Sequence, residues 1–289
     1  MRDVQDVPPS LRERARAYLD AGAAATVAPT RDAATVVLLR DRPVTDSHEQ
    51  ATGPEVYLLR RAPSMAFAAG MHVFPGGSVD PRDSEVGHLV PGHGWGGQPP
   101  AQWAGALGCD ERLARALVLA AVRETFEESG VLLAGPDVAS VVGDTTGADL
   151  EADRLALLDR SASMAEVLER RGLVLRSDLL RPWAHWVTPE FEPKRFDTRF
   201  FVAAVPPGQR PRDISGEADS TVWLPLRDAV ARHDRGELDM LPPTIVALRE
   251  LAAFDKVAEV LAAPREVRRV MPRLVDDAGT PRLRIEDDA

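Results

Sequence analysis

The sequence predicts an α/β fold in which helices pack on a β-sheet, and three features support this prediction. Two apolar, β-branched runs at residues 33–40 and 55–61 have the composition of buried strands. Residues 110–129 form a helical pattern that is apolar on nearly every side at its middle, so this helix needs cover from two layers. Two further strand patterns follow at 179–189 and 195–205.

The remaining pattern adds helices and a terminal pair of strands. At the N-terminus, Ser10 and Glu13 form a capping-box pattern, which predicts a short helix through about Asp20 within a helical extension of residues 1–29. Helical periodicity also recurs later, and the last segment predicts two short strands. The predicted segments are a short strand at 131–133, two helices within 150–171 broken near Ser161, helices at 226–235 and 242–261, and strands within 267–285.

Composition and charge exclude several classes of protein. The chain has 289 residues, enough for one large domain or two small ones, and a formal net charge of −10. This charge argues against general binding to nucleic acid or to anionic membranes, and it means that an anionic substrate must be attracted locally, by a metal ion and a few Arg side chains. The single Cys109 excludes an internal disulfide.

Targeting signals are not visible in the sequence. The N-terminus is charged and lacks the apolar segment of a signal peptide, and no apolar run approaches the ~20 residues that span a bilayer. The C-terminal residues also differ from a peroxisomal S-K-L signal. We therefore expect a cytoplasmic protein.

The most informative stretch runs from Arg123 to Val131. On a helix, Glu124, Glu127 and Glu128 share one face because they stand at positions i, i+3 and i+4. Three neighbouring carboxylates repel one another, and a hard divalent cation such as Mg²⁺ can neutralise them. The pattern therefore indicates metal-assisted hydrolysis of a phosphate compound, whereas the alternative is a solvated acidic surface with Arg123 paired to Glu127.

A glycine-rich stretch at residues 70–83 lies upstream of this helix. Gly76 and Gly77 follow Phe74 and Pro75, a composition that predicts a turn. Two glycines permit either a positive φ or a close approach of the backbone to a ligand.

Together the two stretches resemble the Nudix box, G-x5-E-x7-R-E-U-x-E-E-x-G-U, in which U is a bulky apolar residue. Gly77 matches its first glycine, Asp83 stands where the family usually has Glu, and Arg123 begins the second half. Between Asp83 and Arg123 lie 39 residues instead of seven, so the box contains an insertion, residues 84–109. A long insertion at this place makes the chain similar to the peroxisomal-type branch of acyl-CoA and CoA diphosphatases. Two further motifs of that branch, W-x-T-P and R-F-D-T-x-F-F, also occur here, at 186–189 and 195–201.

The resemblance implies a Nudix fold, a mixed sheet sandwiched between helices, over residues 30–262, followed by a C-terminal extension at 263–289. It also implies a site. In this site Glu124, Glu127 and Glu128 hold Mg²⁺ or Mn²⁺ and Arg123 orients them. The remaining candidates are Gly76, Gly77, Arg195 and Arg199 for substrate phosphates, and Glu217 as a late acid; the general base is Glu124, Glu127 or Glu217. The alternative for Arg195 and Arg199 is an ion pair with Asp197 or Glu192.

The implied reaction is hydrolysis of a nucleoside diphosphate linked to another group. CoA or acyl-CoA is the leading substrate, giving 3′,5′-ADP and a 4′-phosphopantetheine species. ADP-ribose, NADH or another nucleotide stays open, as does a non-catalytic ligand-sensing domain. The insertion is interpreted as a lid or as extra packing, and a homodimer is compatible with the family.

Overall fold

The structure is a computed structural model that describes residues 3–7, 11–22, 25–42, 53–62, 68–85, 87–212 and 218–285. Its strands are β1 (Asp3–Asp6), β2 (Thr30–Arg40), β3 (Glu55–Arg61), β4 (His72–Val73), β5 (Gly76–Ser78), β6 (Trp95–Gly96), β7 (Ala134–Gly135), β8 (Val174–Arg176), β9 (Arg181–Val187), β10 (Arg195–Ala204), β11 (Ala218–Pro225), β12 (Arg269–Val270), β13 (Arg273–Asp277) and β14 (Thr280–Ile285). Its helices are α1 (Arg12–Ala21), α2 (Pro100–Leu107), α3 (Glu111–Ser129), α4 (Ala148–Leu158), α5 (Met164–Arg171), α6 (Leu226–Asp234), α7 (Pro242–Leu251) and α8 (Val257–Ala262), with 3₁₀ turns at Pro81–Ser84 and Ser177–Leu179.

The central sheet is mixed. Its strands follow the order β11-β3-β2-β10-β9-β12, with β4 paired to β3 and β5 paired to β2. Strand β10 runs parallel to β2 and β12 runs parallel to β9, while the other pairs are antiparallel. The predicted fold class, a mixed sheet between helices, is therefore confirmed.

Each face of this sheet carries its own core, because successive residues of a buried strand point to opposite sides. Val36 and Leu38 of β2 pack with α2, α3, α4 and α5, whereas Val37 and Leu39 pack with α6, α7 and α8. Helix α3 is buried over most of its length, as its apolar middle predicted.

Three predicted elements differ in detail. The helix predicted at 242–261 is two helices, α7 and α8, separated by residues 252–256. The predicted strand at residues 131–133 is irregular, and the strand begins only at Ala134. Gly76 and Gly77 belong to β5 and pair with β2 instead of forming the predicted turn.

The insertion at residues 84–109 contributes to the core. Its helix α2 packs on α3, and Trp95, Trp103 and Leu107 are buried in the same cluster as the middle of α3. These contacts favour the interpretation of the insertion as extra packing rather than as a lid.

The two ends of the described chain pack together. Strand β1 pairs with β14, which pairs in turn with β13, and α1 contacts this small sheet. Within the part of the chain that the structure describes, no helix has the length and apolar character needed to cross a membrane.

Candidate active site

Helix α3 presents the predicted acidic residues from a helix with well-defined ends. The Asp110 carboxylate accepts a hydrogen bond of 2.8 Å from the Leu113 backbone N–H, and Gly130 closes the helix in the left-handed conformation at φ 72°. Glu127 and Glu128 lie on the last turn, and both are buried.

Arg123 joins the helix to the strand and loop that precede the insertion. Its Nε and Nη2 donate to the Asp83 carboxylate at 3.0 and 2.8 Å, and Nη2 also donates to the Ser78 carbonyl at 3.0 Å. Its Nη1 donates to Oε1 of Glu124 at 2.8 Å and to Oε1 of Glu127 at 3.3 Å. The two halves of the interrupted box, with 39 residues between them, are therefore held together by one guanidinium.

Strand β5 brings its backbone against the carboxylates. The Gly76 N–H donates to Oε2 of Glu128 at 2.8 Å, and a Cβ on Gly77 would lie 2.4 Å from Oε1 of Glu124. Neither glycine has a positive φ. Position 77 therefore needs glycine because its backbone lies close to the Glu124 carboxylate, and not because of a positive φ. This is one of the two explanations that the sequence allowed.

Burial raises the proton affinity of these carboxyl groups. It raises the pKa of Glu124 to about 7, although the Arg123 charge opposes the rise, and it raises the pKa of Glu127 for the same reasons. Burial alone would lower the pKa of Arg123, but its hydrogen bond to Asp83 and the neighbouring acids raise it overall. The site therefore concentrates more negative charge than Arg123 neutralises.

A divalent cation fits this donor set. Carboxylate oxygens are the ligands that hard ions such as Mg²⁺ prefer, and Glu124, Glu127 and Glu128 stand on one side of the helix. Within the described ranges no three acidic, histidine or cysteine side chains already converge as a finished metal site, because Arg123 contacts Glu124 and Glu127 while Gly76 holds Glu128. Glu124, Glu127 and Glu128 are the residues that would hold the ion.

The acidic face opens into a cleft of about 1350 Å³. Its walls combine Gly76 and Gly77 with an aromatic surface that includes Trp186, Phe196 and Phe200. Cationic side chains also line it: Arg14, Arg31, Arg61, Arg82, Arg112, Arg123, Arg160 and Lys194. The cleft thus offers apolar and positively charged surface beside the carboxylates.

Two predicted phosphate-binding residues lie outside the lining of this cleft. Arg195 is buried and donates to the carbonyls of Thr188 and Ala28 at 3.0 and 2.9 Å. Arg199 pairs with Asp197 and, at 3.4 Å, with Asp32. The Asp197 contact is the ion pair stated as the alternative for Arg199, and no contact of either arginine supports a role in substrate binding.

Glu217, the predicted late acid, lies outside the described residues. Two arginines that the sequence analysis did not select, Arg82 and Arg160, also line the cleft. The Asp80-Pro-Arg-Asp83 segment is a capping box, a readable local signal for the position of Arg82. Arg160 has no comparable signal, because its place in the cleft depends on contacts between distant segments.

A helix with R-E-x2-E-E facing a glycine strand, on a mixed sheet between helices, defines a Nudix hydrolase. The description of the matching family model is NUDT19 Nudix domain, and it matches residues 110–251. Acyl-coenzyme A diphosphatase NUDT19 of Homo sapiens is 30% identical over 271 residues, covering 80% of this chain and 70% of that protein. The protein of the same name in Gallus gallus is 27% identical over 267 residues, with the same coverage of both chains.

A solved structure supports the same assignment. The crystal structure of a NUDIX hydrolase from Alicyclobacillus acidocaldarius is similar with a TM-score of 0.68 and 30% identity, covering 83% of this chain and 99% of that chain. The chain therefore belongs to the NUDT19 family of Nudix hydrolases, as its motifs predicted. Nudix hydrolases generally use divalent metal ions.

Proposed function

We propose that this enzyme hydrolyses the pyrophosphate bond of CoA or acyl-CoA, releasing 3′,5′-ADP and 4′-phosphopantetheine or its acyl ester. The observation that carries the proposal is the cluster of Glu124, Glu127 and Glu128 against β5 at the base of the cleft. The names of the relatives from Homo sapiens and Gallus gallus supply the substrate class.

The size of the cleft suits an extended substrate. Its volume of about 1350 Å³ exceeds the roughly 300–1,000 Å³ of common small-ligand pockets. Aromatic side chains such as Phe196 offer surface for a base or an acyl chain, and the basic side chains offset the overall negative charge of the protein near an anionic substrate.

Each site residue has a distinct task in this proposal. Glu124, Glu127 and Glu128 would hold Mg²⁺ or Mn²⁺, which when bound screens the phosphate charge and acidifies water. Arg123 keeps Glu124 and Glu127 oriented, and the Gly76 N–H fixes Glu128. The proton acceptor is Glu124, Glu127 or Glu217.

A substrate panel tests the proposal. CoA, an acyl-CoA, ADP-ribose and NADH are incubated with the protein and Mg²⁺ or Mn²⁺, and the products are separated by chromatography. We expect 3′,5′-ADP from CoA or acyl-CoA at a higher kcat/KM than any product of the other two. Faster turnover of ADP-ribose or NADH would move the enzyme to another substrate class, and no turnover at all would favour a ligand-sensing domain.

A substitution tests the role of the carboxylates. Glu127→Gln should abolish turnover with little effect on folding, because the side chain keeps its shape but loses its charge. Glu111→Gln is the matched control, since Glu111 is an exposed acid in the first turn of the same helix. Full activity of Glu127→Gln would show that the carboxylates of α3 do not bind a catalytic ion.

A further inference from the structure

The turn between α4 and α5 is tied to the loop that follows β5. Arg82 Nη1 donates to the Arg160 carbonyl at 2.9 Å and to the Ala162 carbonyl at 3.3 Å. Arg82 is itself held by Asp80, whose Oδ1 accepts from Nε at 3.0 Å and from the Arg82 N–H at 2.9 Å. These hydrogen bonds fix the position of this turn relative to the loop that follows β5.

A second arginine, Arg154, attaches helix α4 to helix α3. Arg154 of α4 is 3% exposed, and its Nη1 donates to the Glu127 carbonyl at 3.0 Å. Its Nε donates to Glu151 at 3.0 Å, which keeps the guanidinium in place. Helix α4 is thus attached to the acidic turn of α3, and the residues that follow α4 are held at the rim of the cleft.

Arg160, in this turn, has a backbone conformation that an arginine rarely adopts. Its φ is 62°, in the left-handed region, which costs an L-residue roughly 1–2 kcal/mol relative to the usual conformation. Its backbone N–H donates to the Leu157 carbonyl at 3.0 Å, so the conformation is part of an ordered turn. Glycine would adopt the same conformation without this cost, which indicates that the side chain has a use of its own.

The side chain of Arg160 is exposed and lines the same cleft as Glu127. Among the residues that the structure describes, its guanidinium has no hydrogen bond and no ion pair within 4.0 Å. Arg160 shares the lining of this cleft with Glu124, Glu127 and Glu128, so its positive charge lies in the same cavity as the acidic cluster. A guanidinium without a protein partner among the described residues therefore lines the cleft that holds the carboxylates, and it can donate to a phosphate bound there.

We propose that Arg160 binds a phosphate oxygen of the substrate and positions the pyrophosphate against the carboxylates of α3. The inference rests on the proposed function for the presence of a pyrophosphate. In the absence of substrate Arg160 and Glu127 line the same cleft, and their opposite charges attract each other. Once a cation neutralises Glu127, that attraction weakens, and the anionic substrate becomes the stronger partner of Arg160.

Three variants of this one residue separate the side chain from the backbone. Arg160→Gly removes the guanidinium and the backbone strain together, Arg160→Lys keeps the charge, and Arg160→Ala removes only the side chain. We expect kcat/KM to fall about 10- to 100-fold in the Gly and Ala variants, mainly through KM, with Lys intermediate. The Gly variant should nevertheless unfold at a temperature at least as high as that of the wild type. Arg268→Ala, at an exposed pair with Glu266, is the control that keeps full activity.

Stability and activity moving together would overturn the proposal. If every variant loses activity in proportion to its loss of stability, the role of Arg160 is structural. If Arg160→Gly keeps wild-type kcat/KM, the guanidinium does not bind the substrate.

A binding measurement keeps this test independent of turnover. Magnesium pyrophosphate is titrated calorimetrically into the wild type and the Arg160→Gly variant, and MgCl₂ alone is titrated as a reference. We expect pyrophosphate to bind about tenfold more weakly to the variant, with Mg²⁺ affinity unchanged. Equal binding to both proteins, including no binding to either, would refute the contact. If pyrophosphate binds more weakly to the variant but the wild type does not cleave CoA, the proposed function is refuted. The contact between Arg160 and pyrophosphate is then still supported.

Discussion

Gly77 and Glu124 are so close that the smallest side chain at position 77 has no room. A Cβ built on Gly77 would lie 2.4 Å from Oε1 and 2.7 Å from Oε2 of Glu124. Because the obstacle is the end of a flexible side chain and not backbone, the protein can fold around an added methyl group by moving the carboxylate. The geometry of the acidic cluster, and not the fold, therefore depends on this glycine.

Gly77→Ala should accordingly separate activity from stability. We expect kcat/KM to fall roughly 100-fold, the order of effect produced by misplacing a reacting group by about 1 Å, while the unfolding midpoint changes little. Steady-state kinetics and thermal unfolding measure the two effects. Gly105→Ala is the control, because Gly105 lies in α2 with nothing within 4 Å of its built Cβ and should gain up to about 1 kcal/mol. Wild-type kinetics for Gly77→Ala would contradict the close approach.

The ion pair between Asp83 and Arg123 should stabilise the joined halves of the box. Asp83 is 2% exposed and accepts from Nε and Nη2 of Arg123, so Asp83→Ala leaves a buried cation with fewer partners. We expect a loss of about 3 kcal/mol in the free energy of unfolding, the low end of the range for broken buried pairs, since Arg123 keeps Glu124 and Glu127. Urea denaturation measures it.

Asp83→Glu is the matched control for this change, because it retains the charge and introduces the residue that Nudix boxes usually have here. It should keep most of the stability and the activity. A fall in stability as large as that of Asp83→Ala would mean that the length of the side chain, and not the ion pair, is what matters.

Local patterns predicted the site elements that depend on neighbouring residues. The three acids fall on one face of α3, as their spacing indicated, and Asp110 and Gly130, residue types that favour helix ends, cap and close the helix. These signals are readable because a helix places residues three and four apart on the same side, and because its caps lie within four residues of its ends.

Contacts between distant segments could not be predicted in this way. Arg199 pairs with Asp32, 167 residues earlier, and Arg82 binds the carbonyl of Arg160, 78 residues later. The residues next to an arginine in a strand or a turn do not indicate which distant residue it will contact. For this reason the sequence analysis selected Arg199 as a residue that binds substrate phosphates and did not select Arg160. The parallel pairing of β10 with β2 is what brings Arg199 next to Asp32.

The insertion at residues 84–109 should behave as core. Trp103 of α2 is 1% exposed and meets Phe201 edge-on with ring centroids 5.8 Å apart. We expect Trp103→Ala to cost about 3–5 kcal/mol in urea denaturation. Trp103→Phe should cost less, because the indole N–H has no hydrogen-bond partner among the described residues and its removal relieves an unsatisfied donor. Gln102→Ala, exposed on the same helix, is the control. A Trp103→Ala variant as stable as the wild type would indicate a lid.

The contribution of Glu124 and Glu127 to the stability of the metal-free protein should fall as the pH rises from about 4.5 to about 7. Burial raises the pKa of Glu124 from 4.5 to about 7 and raises that of Glu127 as well. Between these pH values the folded state holds protons that the unfolded chain has already released, so the free energy of unfolding falls with increasing pH. The contribution is complete below pH 4.5 and is lost above pH 7.

Chemical denaturation in EDTA across this pH range measures the slope. Glu124→Gln should flatten it, because the variant has no proton to release at that position, while Glu111→Gln should leave it unchanged. Added Mg²⁺ should reverse the trend, since cation binding requires the ionised carboxylates and becomes tighter as they lose their protons. A slope that survives in Glu124→Gln would locate the coupled proton elsewhere in the protein.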